Sequence, residues 1–170
     1  MEIQQFWQLI EAAKKKSGGD IEEQAELLTE KLATLSMDEI LEFDRIFTQL
    51  LHAAYQSKLW AAAYLILGGC SDDGFEYFRA WLIARGQKVY ETAVADADGL
   101  AKLIKQDDAE EAEAESMLYV ASTAYEQKTG KDDFHELAPL PPSLPTLDLS
   151  WSDDEKLLSE LLPKLFKKFG

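Results

Sequence analysis

The sequence predicts an all-α protein, and three observations support that prediction. Apolar residues recur at spacings of three and four along most of the chain, which is the period of a helix with one buried face. No stretch alternates apolar and polar residues over the length of a strand, and no hairpin turn lies between two Val/Ile-rich runs. Capping residues and glycines separate the periodic stretches, as expected at helix ends. Because 170 residues suit one domain of ordinary size, we expect a single globular multi-helix domain.

The first half of the chain contains three amphipathic segments and then a more apolar one. We expect the amphipathic helices over residues 3–16, 21–34 and 36–55. Asp20 is a candidate N-cap of the second helix, and Ser36 with Glu39 matches a capping box at the third. Residues 58–67 are apolar almost all round, which predicts a helix that is buried on most sides. This segment is therefore expected to be the central helix of the fold.

The second half continues with shorter helices, expected over residues 72–85, 87–95, 97–105 and 111–128, and a closing helix that follows a second capping box, Ser152 to Glu155. Ser71 and Asp96 are candidate N-caps, and Gly130 is expected to end the helix before it. The stretch 106–115 carries six acids and no base, and we interpret it as a solvated loop leading into the exposed first turns of the next helix. Pro163 is expected to break or kink the closing helix.

Residues 131–150 have a different composition from the rest of the chain. Four prolines alternate with five leucines there, which predicts an extended Pro/Leu-rich segment before the C-terminal helix. A free linker rarely carries so many leucines, so we expect this segment to lie along the helical body. The predicted organisation is a helical core over residues 1–130 and a second part, 131–170, packed on that core.

The net charge of −15 excludes some function classes and leaves others open. It argues against binding to nucleic acid or to an anionic membrane surface, because both need clustered Lys and Arg. A basic protein partner, a cation or simple solubility remains compatible with it. No apolar run is long enough to cross a membrane, and residues 1–16 lack the apolar core of a signal peptide, so the cytoplasm is the expected location.

Motifs of catalysis and of metal binding are absent from the sequence. It has no phosphate-binding glycine loop, no nucleophile elbow and no zinc-protease motif. The single cysteine excludes an internal disulfide, and His52 and His135 lie too far apart for a local metal motif. Cys70 with either histidine would give a nucleophile pair, but a structural cysteine is the favoured interpretation. We expect no cofactor and no bound metal.

One stretch, residues 68–81, combines more chemistry than the rest, and two interpretations of it stay open. Its candidate site residues are Cys70, Ser71, Asp72, Asp73, Glu76, Arg79 and Trp81. In the functional interpretation, the carboxylates share a helix face with a nearby arginine and bind a divalent cation or act as an acid–base pair. In the structural one, which we favour, Ser71 caps the helix, the aspartates complement its dipole and Glu76 pairs with Arg79. The aromatic residues Phe75, Tyr77, Phe78 and Trp81 are similarly interpreted as core, with an aromatic pocket as the alternative.

The same stretch also carries a family resemblance. The run Gly68-Gly69-Cys70-Ser71-Asp72-Asp73, followed by Tyr77-Phe78-Arg79-Ala80-Trp81-Leu82, resembles the bacterial family called domain of unknown function 4240. The resemblance covers about residues 3–128 and does not extend past Gly130. It implies that Cys70, Ser71, Asp72, Asp73, Phe75, Arg79 and Trp81 belong to the signature of the domain. It implies no catalytic or ligand-binding role, because the family has no established activity.

Two functional hypotheses follow from these observations. The first is a non-enzymatic cytoplasmic module with an acidic surface that binds a protein partner, a basic one being compatible with the charge. The second is an enzyme or a receptor for a small ligand or divalent cation that uses Asp72, Asp73, Glu76 and Arg79 in a cleft. A cavity beside these four side chains would favour the second hypothesis.

Overall fold

The computed structural model describes all of residues 1–170, and its regular secondary structure is all helical, with no strand, as predicted. Its α-helices, α1 to α11, span in order Ile3–Lys16, Ile21–Ala33, Met37–Ala53, Ser57–Leu67, Asp72–Ala84, Gln87–Ala95, Gln106–Ala109, Val120–Thr129, Phe134–Leu137, Glu155–Leu161 and Pro163–Phe169. Three 3-10 helices lie between them, over Ala97–Lys102, Glu115–Tyr119 and Ser150–Asp153. None of the helices has both the length and the apolar composition needed to cross a membrane.

The first six helices begin and end within about two residues of their predicted bounds. The Asp20 carboxylate accepts a hydrogen bond from the Glu23 backbone N–H at 2.8 Å, which is the predicted cap of α2. At the start of α3, the Ser36 hydroxyl accepts from the Glu39 N–H while the Glu39 carboxylate accepts from the Ser36 N–H at 2.9 Å. These caps satisfy backbone donors that a helix leaves free at its N-terminus, so local sequence alone defines these helix starts.

Helices α4 and α5 lie at the centre of the fold. Helix α4 is buried on most sides, as predicted, with its core residues Leu59, Trp60, Ala61, Ala62, Ala63, Leu65 and Ile66. It packs against α5, α11 and the 3-10 helix Ala97–Lys102. Helix α5 shares this central position, since it touches α1, α2, α3, α4, α6 and the 3-10 helix Glu115–Tyr119. The α5 part of the stretch that carries the family resemblance therefore lies in the middle of the hydrophobic core.

The predicted helix over residues 111–128 is wrong in its first half. The α-helix begins only at Val120, and residues before it form a turn and the 3-10 helix Glu115–Tyr119. Ala112 and Ala114 are buried, and the Ala114 N–H donates to the Tyr77 carbonyl of α5 at 3.0 Å. Because the Ala114 N–H donates to α5, it is not available for a hydrogen bond within its own helix. The acidic stretch therefore packs on α5, whereas the sequence indicated a solvated loop followed by exposed helix turns.

Two further details of the predicted second half are corrected. Residues 97–102 form a 3-10 helix, and the Asp96 side chain makes no capping hydrogen bond to it. The second capping box is also wrong, because Ser152 lies within the 3-10 helix Ser150–Asp153. The cap of α10 is Asp154, whose carboxylate accepts from the Leu157 N–H at 2.9 Å. At α10 the capping residue is set by the 3-10 turn that precedes the helix, and residue spacing does not reveal that turn.

The C-terminal part contacts the helical body through several buried side chains. The Trp151 indole N–H donates to the Ser57 hydroxyl at 3.0 Å, and Leu162 and Leu165 lie in the same hydrophobic cluster as α4. Residues 139–149 of the predicted extended segment 131–150 are extended, whereas Phe134–Leu137 within it forms the short helix α9. The extended part is unevenly packed. Leu147 packs against the core, whereas Leu140 is 90 % exposed.

Helix α11 begins at Pro163, where the predicted break occurs, and its N-terminus is capped by a residue from a distant part of the chain. The Asp98 carboxylate accepts from the backbone N–H groups of Lys164 at 3.0 Å and Leu165 at 2.9 Å. Asp98 is only 7 % exposed. A buried carboxylate at a helix N-terminus satisfies free donors and complements the helix dipole.

Candidate functional site

The turn between α4 and α5 requires its two glycines for backbone reasons. Gly68 has φ +70° and Gly69 has φ +124°, both in the region that side chains other than glycine rarely adopt. The Gly69 N–H donates to the Tyr64 carbonyl at 2.8 Å, and the Trp60 indole N–H donates to the Cys70 carbonyl at 3.1 Å. The two glycines are therefore required by the left-handed backbone of the turn. No neighbouring atom lies within 4 Å of where a side chain would begin at either position, so crowding is not the reason for them.

The start of α5 follows the structural interpretation. The Ser71 hydroxyl accepts from the Gly74 N–H at 3.1 Å, which is the predicted cap. Asp72 and Asp73 are exposed in the first turn, where carboxylates complement the helix dipole. No group of three histidine, cysteine or acidic side chains anywhere in the structure is arranged to hold a metal ion.

Cys70 is half-buried beside this cap, and its surroundings disfavour the thiolate. The pKa of the Cys70 thiol is raised from its ordinary 9.0 to about 11, chiefly by burial and further by the Glu113 and Asp72 carboxylates, while Arg79 opposes the rise. The Glu113 carboxylate reaches the first turn of α5, lying 3.2 Å from where a side chain at Gly74 would begin. Since the thiolate is the nucleophilic form, the environment of Cys70 suits a structural role.

The raised pKa leads to a measurable prediction for alkylation of Cys70. At mildly alkaline pH, a shift of two pKa units lowers the thiolate fraction roughly a hundredfold, so iodoacetamide should react with the folded protein far more slowly than with the urea-unfolded chain. Cys70 is the only cysteine, so the measured rate reports this thiol alone. Glu113→Gln should raise the folded-state rate, whereas equal folded and unfolded rates would contradict the prediction.

Arg79 is the most deeply buried charge among the candidate residues, with 5 % of its surface exposed. Its Nη1–H donates to the Leu51 carbonyl at 2.8 Å and its Nε–H donates to the Phe75 carbonyl at 3.2 Å. The guanidinium carbon lies 5.0 Å from the Tyr55 ring centre and 4.8 Å from that of Phe75, within cation–π distance. Because Leu51 belongs to the last turn of α3, Arg79 joins the C-terminal end of α3 to α5.

The predicted ion pair between Glu76 and Arg79 is wrong. The ion pairs within 4.0 Å are Lys14–Glu11, Arg45–Glu42 and Lys156–Glu160, and none involves Arg79. Burial lowers the pKa of the Arg79 guanidinium, an effect that the Glu76 charge only partly offsets. The arginine is thus a buried cation held by carbonyls and aromatic rings, without a carboxylate partner.

The aromatic residues of α5 belong to the core, as the favoured interpretation predicted. Phe75, Phe78 and Trp81 are buried, while Tyr77 is half-buried. The rings of Trp60 and Phe75 stack with their centres 4.8 Å apart, and those of Phe78 and Trp81 stack at 6.0 Å. Trp81 therefore belongs to the hydrophobic core and takes no part in the cap at Ser71.

Glu76 and Arg79 are the two candidate residues that share a pocket. It has a volume of about 400 Å³ and lies between α3, α5, the 3-10 helix Glu115–Tyr119 and the Pro/Leu-rich segment. Its remaining polar side chains are Asp44, Thr48 and His52 of α3 and Tyr119. Cys70, Ser71, Asp72 and Asp73 do not line it, so the predicted cluster divides into a helix cap and a pocket wall.

Sequence reasoning did not place Asp44, His52 or Tyr119 at this pocket, although Asp44 left a signal. It lies four residues after Ile40 and three before Phe47, both of which are buried on the inner face of α3. A carboxylate on an apolar stripe is desolvated, and burial accordingly raises the pKa of Asp44. Tyr119 offered no comparable signal, because its position depends on the turn before α8.

A second concave surface lies on the other side of Tyr119, and we call it the acidic groove. Glu22, Glu26 and Glu30 follow each other at a spacing of four on the exposed face of α2 and line this groove of about 450 Å³. Its other lining residues are Ala25, Thr29, Ser116, Tyr119, Thr123 and Gln127. No lysine or arginine lines the groove, so its negative charge is not compensated locally.

The sequence model of one family, described as Protein of unknown function (DUF4240), matches residues 1–127. The chain belongs to the DUF4240 family. The match confirms the resemblance seen in the sequence and covers α5, the Arg79 pocket walls on α3 and the whole acidic groove. The Pro/Leu-rich segment of this DUF4240 protein lies beyond the match. No curated protein and no solved structure matches the chain significantly.

Proposed function

We propose that this DUF4240 protein is a non-enzymatic, cytoplasmic binding module whose acidic groove receives a basic segment of a protein partner. The charge of the chain supports this proposal. It has 32 acidic and 17 basic side chains, and only Glu11, Glu42 and Glu160 pair with a lysine or arginine. Most of its negative charge therefore remains available to attract a cationic partner.

The acidic groove is the single observation on which the proposal rests. Glu22, Glu26 and Glu30 form one row along α2, and the opposite wall carries Tyr119, which is 53 % exposed. Exposed tyrosines often dominate binding energy at protein interfaces, and their rings attract lysine and arginine side chains. A partner segment with cations on one face would place these cations against the glutamate row. The aliphatic stems of its lysine or arginine side chains would then pack against Tyr119.

A direct test uses a lysine–alanine helical peptide with a lysine at every fourth residue, which puts the cations on one face. Isothermal titration at about 0.15 M salt should show saturable binding that weakens as salt is raised. The triple variant Glu22→Gln, Glu26→Gln, Glu30→Gln should weaken binding by about tenfold, since three partly screened contacts amount to about 1.4 kcal/mol. Tyr119→Ala should weaken it further.

The matched control is Asp107→Asn, Glu110→Gln, Glu111→Gln, which removes the same charge from exposed positions outside the acidic groove. This variant should bind the peptide within about twofold of the unmodified protein, because screened distant charges contribute little. If both triple variants weaken binding equally, the attraction is general and the groove has no special role. Binding that does not depend on salt would remove the electrostatic basis of the proposal.

A further inference from the structure

The pocket beside Arg79 contains a buried cation whose hydrogen-bonding capacity is only partly used. The Nε–H and Nη1–H groups donate to backbone carbonyls, while Nη2 has no hydrogen-bond partner in the protein and is not sealed from solvent. No carboxylate lies within 4.0 Å of the guanidinium. Because a buried charge without a counter-ion is costly, an anionic group that reaches Nη2 would be bound favourably.

The same pocket also contains an unpaired acid on another helix. Asp44 of α3 makes no side-chain hydrogen bond and no ion pair, and burial raises the pKa of its carboxyl group. Neither Asp44 nor Glu76 pairs with Arg79, although all three line the same pocket. The pocket therefore presents one cation and two acids that the protein leaves apart.

The remaining walls suit a small, partly apolar molecule. Phe47, Leu51 and Leu118 form an apolar floor, and the exposed segment at Leu144 closes one side. His52 approaches the Ser143 carbonyl at 3.3 Å, which places this segment over the pocket. A pocket of about 400 Å³ whose lining combines apolar and polar side chains falls in the size range of small-molecule sites.

We propose that this pocket binds a zwitterion of amino-acid size, with the ligand carboxylate on Arg79 and the ligand ammonium group on Asp44. One molecule then supplies the counter-ion that each side chain lacks, and its apolar body packs on Phe47 and Leu118. Glu76 lies at the exposed edge, where it adds negative charge near the ammonium group. This site shares only Tyr119 with the acidic groove and does not depend on a protein partner.

The test uses L-phenylalanine and L-leucine as probes, with two analogues that each lack one charge. In isothermal titration, 3-phenylpropionate lacks the ammonium group and 2-phenylethylamine lacks the carboxylate. We expect at least one of the two amino acids to bind, and at least about tenfold more tightly than its single-charge analogues, which corresponds to about 1.4 kcal/mol. Absence of binding by both amino acids, or equal affinity for zwitterion and analogues, would overturn the proposal.

Two variants locate the site without relying on the buried arginine. Asp44→Asn should lower affinity for the amino acid at least about tenfold while leaving weak binding of 3-phenylpropionate unchanged. Glu110→Gln removes an equal charge from an exposed position outside the pocket and should change neither affinity. Amino-acid binding that survives Asp44→Asn at full strength would show that the ligand does not bridge Arg79 and Asp44, and would overturn the assignment.

Discussion

Asp98→Ala is expected to lower the free energy of unfolding by about 3 kcal/mol, because hydrogen bonds to a charged group contribute more than neutral ones and the buried donors left behind are costly. The Asp98 carboxylate accepts from the N–H groups of Lys164 and Leu165, and no other acceptor in the protein replaces it there. Urea denaturation followed by circular dichroism measures the effect.

Asp96→Ala provides the matched control for this substitution. Asp96 lies only two residues from Asp98, but it is exposed and caps no helix. Its substitution by alanine removes the same charge as Asp98→Ala. We expect its effect to stay within about 0.5 kcal/mol, as for most surface positions. Asp98→Asn should fall between the two, because the amide oxygen still accepts but carries no charge. Equal destabilisation by Asp96→Ala and Asp98→Ala would contradict a capping role.

The Asp98→Ala variant also tests whether the Asp98 cap holds residues 131–170 on the helical body. Asp98 belongs to the part of the chain before Gly130, whereas α11 belongs to the part after it. If this cap anchors α11, limited trypsin digestion of Asp98→Ala should release the C-terminal part faster than digestion of Asp96→Ala. Cleavage follows the population of the locally opened state, so the ratio of rates reports the lost contact.

The sequence predicted the first six helices well because their signals are local. Apolar stripes, the Ser36–Glu39 capping box and the glycines after α4 all act within a few residues of the structure they determine. The prediction for the acidic stretch before α8 was wrong for the opposite reason. Its conformation depends on the bond from Ala114 to Tyr77, and no pattern within the stretch indicates a partner on another helix.

In the candidate site, too, the locally determined features were predicted and the tertiary contacts were not. Spacing correctly predicted the cap at Ser71 and the buried aromatic residues of α5. It also suggested that Glu76 would pair with Arg79 three residues later, but the arginine instead turns to the Leu51 carbonyl of α3. Carbonyl acceptors and aromatic faces carry no sequence signature, so tertiary partners of this kind are visible only in the structure.

Phe75→Ala is expected to have the largest effect of any substitution considered, about 4 kcal/mol of unfolding free energy, because deleting a buried phenylalanine leaves a cavity. Phe75 is fully buried, and its ring contacts Trp60, Tyr55 and the Arg79 guanidinium. The substitution therefore loosens α4, α5 and the end of α3 together. Thermal and urea denaturation measure the loss.

Phe75→Leu separates packing from the aromatic contribution, since leucine keeps most of the buried volume but provides no ring face to the cation. Its cost should be about 2 kcal/mol, less than that of alanine, with the cation–π contact as one part of it. A double-mutant cycle of Phe75→Leu with Arg79→Met should give a coupling free energy of about 1 kcal/mol. Additive effects would show that the Phe75 ring does not hold Arg79, which would leave its carbonyl acceptors and the Tyr55 ring. A measurable coupling would mean that the ring of Phe75 also holds the guanidinium in place beside the pocket, so that the core of α5 and the pocket wall depend on the same contact.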